Sequence, residues 1–148
     1  MKPYSLDDFL NAEERARVER AIADVEKTTS AELRLHLDEH NVDDELDRAA
    51  FIFRELDMHV TRERNGVLLY VNVADRRLAV IGDAGIHQHT GQGFWTDVVE
   101  LVRMHFIGGR HADGIVAGIE RIGEKLRSHF PRRSDDRDEL SNTISTQR

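Results

Sequence analysis

The chain has 148 residues, 39% of them hydrophobic and 33% charged, with a formal net charge of −7 at neutral pH. That length suits one domain with a core of its own, and an acidic balance without a basic stripe argues against a nucleic-acid partner. The absence of cysteine excludes disulfides, thiolate zinc sites and cysteine nucleophiles.

The opening MKPYSLDDFL has no apolar stretch of signal-peptide length, and its acids come too early for a transit peptide. No window approaches the ~20 apolar residues of a membrane span. The expectation is a cytoplasmic monomer with no direct membrane span.

Taken in chain order, residues 5–30 predict a helix. Asn11 with Glu14 reads as a capping box, Val18, Ile22 and Val25 follow at helical spacing, and Thr28-Thr29-Ser30 stops the pattern. AELRLHLD then alternates, with Leu33, Leu35 and Leu37 on one face and Arg34, His36 and Asp38 on the other. This predicts a strand with one wet face, near a sheet edge. A second helix is expected over residues 42–57, with Asp43, Asp44 and Glu45 at its positive end and Leu46, Ala50, Phe53 and Leu56 as its buried stripe.

Asn65-Gly66 turns into VLLYVNV, a nearly unbroken apolar run that suits a central strand. Residues 74–77 have hairpin-loop length, and LAVIGD returns as the antiparallel partner. Trp95, Val98, Val99, Val102 and Phe106 form the stripe of the next helix, closed by Gly108-Gly109. The final helix starts near Ala112, carries Ile115, Ile119, Ile122 and Leu126, and ends at Phe130-Pro131. RRSDDRDELSNTISTQR lacks apolar periodicity, which predicts a domain over residues 1–131 and a disordered polar tail over 132–148.

One right-handed crossover plus a hairpin gives an α/β fold, a small mixed sheet flanked by helices, Rossmann-like in layout. It lacks the GxGxxG turn that a dinucleotide site needs.

Four stretches, in this order and spacing, carry a family resemblance: FLNAEERARVERAIADVEKTTSAEL, TRERNGVLLYV, AVIGDAGI before GFW, and HFIGGRHADGIVAGIERIGEKLRSHFP. Together they resemble the TPM-domain family, which includes the thylakoid-lumen phosphatase-like proteins, in its compact form without a signal peptide or trailing membrane helix. The family's GYGLEG-type turn is replaced here by Gly82-Asp83-Ala84-Gly85-Ile86. The resemblance implies a three-layer αβα sandwich, binding of Ca²⁺ or Mg²⁺ as cofactor, and phosphatase activity in some members.

Topology sorts the candidate ligands independently. With the first two strands parallel and the third returning, Glu32, Asn65 and Asp83 meet at one edge of the sheet, while Asp38 and Asp75 fall at the other. Carboxylate and amide oxygens are what hard divalent cations prefer. Asp113 is either a fourth ligand or the acid of a helix N-terminus, and Asp83 is either a ligand or a turn residue satisfying backbone donors. Gly82 and Gly85 would let the chain bend around the ion. The acids around Asp38 and Asp43 read as a solvated loop and helix start.

His87-x-His89 lacks a marked third ligand for zinc. Arg62 and Arg64 either grip a phosphate or pair with neighbouring acids. No G-x-S-x-G elbow exists, which argues against a covalent serine hydrolase. Two functions remain: a cation-binding interaction or regulatory module, whose further partner is another protein, and a metal-assisted phosphomonoester hydrolase. The first is favoured, because ligating acids are visible and a nucleophile is not.

Overall fold

A computed structural model describes residues 5–133 and 144–147. The first predicted helix is split in two. Helix α1, Leu6–Phe9, ends at Leu10, and α2, Ala12–Glu26, begins afresh on Asn11. The capping box is present in both directions: Asn11 Oδ1 accepts the Glu14 amide at 2.8 Å, and the Glu14 carboxylate accepts the Asn11 amide at 2.9 Å.

The remaining elements in order are β1 Glu32–Asp38, α3 Glu45–Glu55, β2 Gly66–Asn72, β3 Arg77–Gly82, α4 Ala84–Thr90, a 3₁₀ turn Gln92–Trp95, α5 Thr96–Ile107, α6 His111–His129 and β4 Ser145–Gln147. The four strands form one mixed sheet in the order β3-β2-β1-β4. β1 is parallel to β2 and to β4, and β2 is antiparallel to β3.

The sheet separates two cores. On one face Leu33, Leu35 and Leu37 of β1 and Val67, Leu69 and Val71 of β2 pack under α2, α5 and α6 through Val18, Ile22, Val98, Val102, Ile115 and Ile119. The other face carries a smaller cluster in which Leu68, Tyr70 and Ala79 meet Ala49, Ile52 and Phe53 of α3. Three layers result, an α/β sandwich. Each fully buried aliphatic side chain contributes roughly 1.5–3 kcal/mol relative to exposure, so the larger core supplies most of the hydrophobic stabilisation.

Three expectations are corrected here. β1 is an interior strand rather than an edge strand, because β4 pairs along its outer edge, and its second face is covered: His36 is 2% and Asp38 0% exposed, with the Tyr70 ring and Arg48 against them. α3 buries Ala49, Ile52 and Phe53, while Leu46 is 44% exposed and Ala50 is also exposed; the i, i+3, i+4 triplet faces the sheet. Of the expected tail, residues 134–143 lie outside those described. Ile144, however, is buried in the main core, and Ser145–Gln147 form β4.

The turn after β3 also differs from expectation. Asp83 caps α4, a helix hidden by its two glycine-flanked ends. Gly85 packs α4 against the backbone before β2: its amide donates to the Arg64 carbonyl at 2.8 Å. A Cβ there would be driven into the carbonyl oxygens of Glu63 and Arg64, the latter at 2.6 Å. Gly82 is pressed against the Ile86 side chain in the same way. The glycines serve helix–strand packing.

Gly85→Ala should therefore destabilise the protein by about 2 kcal/mol or more, the scale of backbone overpacking. Gly93→Ala, where a Cβ meets nothing within 4 Å, should change the urea midpoint little. Equal midpoints for the two variants would contradict this packing.

Candidate functional site

Strand register brings three of the four candidate residues to one end of the sheet. Glu32 opens β1 opposite Gly66 of β2. The Glu32 amide donates to the Asn65 carbonyl at 3.0 Å, and the Asp83 amide to the Gly66 carbonyl at 2.8 Å. Glu32, Asn65 and Asp83 are 2%, 7% and 6% exposed. Asp113 is not among them. It sits at the first turn of α6 in an ion pair with Arg17 at 2.8 Å, and Arg17 holds its carboxyl below the usual range. The other end of α6 is the one at the sheet edge, where the Phe130 carbonyl accepts the Ser30 amide at 2.9 Å. Most of the length of α6, about 24 Å from Asp113 to His129 at 1.5 Å per residue, lies between Asp113 and that end.

Asp83 is already committed. Arg64 grips it with a two-pronged guanidinium, Nε to Oδ2 at 2.7 Å and the terminal nitrogen to Oδ1 at 2.8 Å, and Oδ1 also accepts the Ala84 amide at 2.7 Å. Arg64 has φ 52°, a left-handed backbone that a non-glycine residue adopts at a cost, so the pair fixes the approach to β2. A bidentate pair of this kind is strong, and it leaves Asp83 acting as a cap and anchor.

Asn65 differs. Its amide nitrogen donates to the Ser30 carbonyl and its backbone amide to Thr61 Oγ1 at 3.2 Å. Its Oδ1 is buried and receives no hydrogen bond among the described residues. Buried acceptors of this kind are rare. Asn65 also lines a cavity of about 380 Å³ at this end, together with Ser30, Gly85, His89, His129 and Phe130. His129 directs Nδ1 to the Lys125 carbonyl at 3.0 Å, which leaves its Nε2 facing outward from that bond. No group of three or more His, Asp or Glu residues stands ready to hold a metal among the described residues. A cation here would have to combine Glu32 and Asn65 with backbone carbonyls and water.

The opposite end of the sheet, where parallel strands finish and α/β folds commonly bind ligands, is closed. Asp38 accepts four bonds: from Arg48 Nε at 2.9 Å, Tyr70 hydroxyl at 2.9 Å, the His40 amide at 3.0 Å and the His40 ring at 3.1 Å. Burial opposes its charge, but the His40 amide, Arg48, Tyr70 and the His40 ring outweigh it and hold the carboxyl below its ordinary range. Burial first, then Asp38 itself, pushes the Tyr70 hydroxyl well above its usual value. Asn72 extends the network: its amide group bonds the His40 carbonyl and the Tyr70 oxygen, and its Oδ1 takes the Asp75 amide at 2.8 Å. Asp75 in turn accepts the Val42 amide at 3.3 Å. The reading of Asp38 as a solvated loop acid is thus replaced by a buried, saturated carboxylate. Its signal in the sequence was Tyr70 and Asn72, two polar side chains spaced by two within VLLYVNV.

These features define an α/β sandwich with one sealed polar end and one open polar end. The chain belongs to the TPM domain family, whose model matches residues 4–125. It is 41% identical to the BA42 protein from the psychrophilic bacterium Bizionia argentinensis, whose NMR structure superposes with a TM-score of 0.87 over 96% of this chain and 98% of that one. The N-terminal domain of a P. gingivalis protein shares the fold at 17% identity, with a TM-score of 0.68 over 84% of this chain and 81% of that one. Among curated proteins none matches.

Asp83→Asn should lower stability measurably, since it removes the charge from a half-exposed bidentate pair that anchors the turn before β2. Arg64→Lys should lose much of the same amount, because an ammonium cannot reproduce the fork. Chemical denaturation checks both, and an unchanged midpoint for Asp83→Asn would show that the pair is not formed.

Proposed function

We propose that this TPM domain is a divalent-cation-binding regulatory or interaction module, taking Ca²⁺ or Mg²⁺ at the end of the sheet where β1 and β2 begin. One observation carries the reading: the buried Asn65 Oδ1, which receives no hydrogen bond among the described residues, lines a cavity at the end of the sheet where the buried Glu32 opens β1. An amide oxygen and a carboxylate are ligands that hard cations accept. Asp83 is left out of the ligand set because Arg64 occupies both its oxygens, and Asp113 because it lies at the far end of α6.

A second reading, metal-assisted phosphomonoester hydrolysis, draws on His89, His129 and Arg133 around the same cavity. These are groups that suit a phosphoryl oxygen, and the cation would polarise that group. Arg133 is paired with Glu63, and the Ser30 hydroxyl in the cavity wall is turned to the Phe130 carbonyl at 3.4 Å. The module reading is therefore preferred.

Calorimetric titration of chelator-treated protein with CaCl₂ or MgCl₂ tests the proposal. Binding is expected, with a stabilisation of about 2.7 kcal/mol at a hundredfold excess over Kd. Glu32→Gln should weaken binding at least tenfold, and Asp75→Asn should leave it unchanged. No heat and no change in melting would refute the site. Metal-dependent turnover of p-nitrophenyl phosphate, lost in Glu32→Gln, would favour the hydrolase.

A further inference from the structure

The outer edge of β1 holds the C-terminal segment as a groove holds a peptide. β4 faces only His36, Leu37 and Asp38 of the seven residues of β1. Ile144, just upstream, is 4% exposed and seated in the main core. The Ser145 hydroxyl lies 2.8 Å from His36 Nδ1 and donates to the Leu35 carbonyl at 3.3 Å. The Gln147 carbonyl accepts the Glu39 amide at 3.2 Å, while Thr146 and Gln147 expose their side chains.

Upstream, the same edge is shut by the domain itself, because the Glu26 carboxylate accepts the Leu33 amide at 3.0 Å. The groove therefore has fixed limits, from Leu35 to Glu39. It offers an apolar socket where Ile144 sits and a buried imidazole that selects a hydroxyl. Strand-accepting domains recognise peptides by this combination: ladder bonds supply affinity and side-chain pockets supply specificity. Among the described residues, the hold on β4 is one apolar side chain, one hydroxyl and a short ladder. Segments so lightly attached open locally before the domain unfolds.

We propose that the β1 edge is a peptide-docking groove, filled in cis by Ile144–Gln147, and that a partner protein displaces this segment with a parallel strand of the same chemistry, a large aliphatic residue followed by Ser or Thr. The proposal is independent of cation binding, which is placed at the start of β1 and β2.

The test uses the full-length chain and a fluorescent peptide of residues 142–147, NTISTQ. The variant Ile144→Asp releases the internal segment. Saturable anisotropy is expected with Ile144→Asp, at least tenfold weaker with the unmodified chain, together with amide shifts at Leu35 and Glu39. A peptide with Val in place of its serine should bind at least tenfold more weakly. Failure of folded Ile144→Asp to bind, or equal binding by both proteins, would overturn the proposal. Should Ile144→Asp not fold, hydrogen exchange of the unmodified chain decides: the Glu39 amide must exchange at least tenfold faster than that of Leu69 in β2. Exchange of both at one global rate would overturn the proposal. Concentration-dependent dimerisation through this edge would overturn the assignment to a separate partner.

Discussion

The second face of β1 is the constraint on which the rest of this structure depends. Its first face is three leucines, and any helix layer could cover them. Its second face carries Glu32, Arg34, His36 and Asp38, and three of the four are almost fully buried. Polar groups taken from water must be hydrogen-bonded, kept neutral or compensated by charge. Each neighbour of β1 answers part of that demand. α3 supplies Arg48 to Asp38, β2 supplies the Tyr70 hydroxyl, and β4 supplies Ser145 to His36. A leucine at each of these positions would pack as well but would not specify which elements come together.

The two ends of the sheet then differ for a physical reason. At the finishing end, Asp38 has as many donors as a carboxylate can use, and Asn72 ties the following loop to the network. Asp38 and Asn72 are thereby committed to bonds within the fold. At the starting end, the anchoring work is done by the Arg64–Asp83 fork and by Gly85 against the Arg64 carbonyl. Asn65 is held there by its nitrogen, while its buried oxygen receives no hydrogen bond among the described residues.

Much of the fold was legible because local pattern and tertiary position agreed. The Asn11–Glu14 box, the leucine alternation of β1, the Ile115–Leu126 stripe and the Gly66 start of β2 were each readable in sequence. The meeting of Glu32, Asn65 and Asp83 followed from strand direction alone. What escaped reading were features set by distant partners. The alternation of Arg34, His36 and Asp38 is the pattern of a wet face, and only partners distant in sequence, Arg48 of α3, Tyr70 of β2 and the β4 edge, make it an interior one. ISTQ has too little apolar content to announce a strand. Asp83 reads in sequence as either a ligand or a turn residue because no spacing rule links it to Arg64, nineteen positions earlier. Asp113 went astray because the direction of α6 across the sheet was not deducible from the helix itself.

The interior position of that face is tested most directly by the titration of the His36 ring, followed by NMR in the intact protein. Burial pushes its pKa down; Asp38 opposes this, and Arg34 and Arg48 add to it, to give about 4 against an ordinary 6.5. The folded ring thus stays neutral while the unfolded one takes up a proton. Stability attributable to His36 is complete above about 6.5 and declines as pH falls from there to about 4. The predicted result is a ring that remains neutral through pH 5 and titrates near 4. A ring that titrates at or above 6.5 would mean that the second face of β1 meets water, and the account built on its burial would fail.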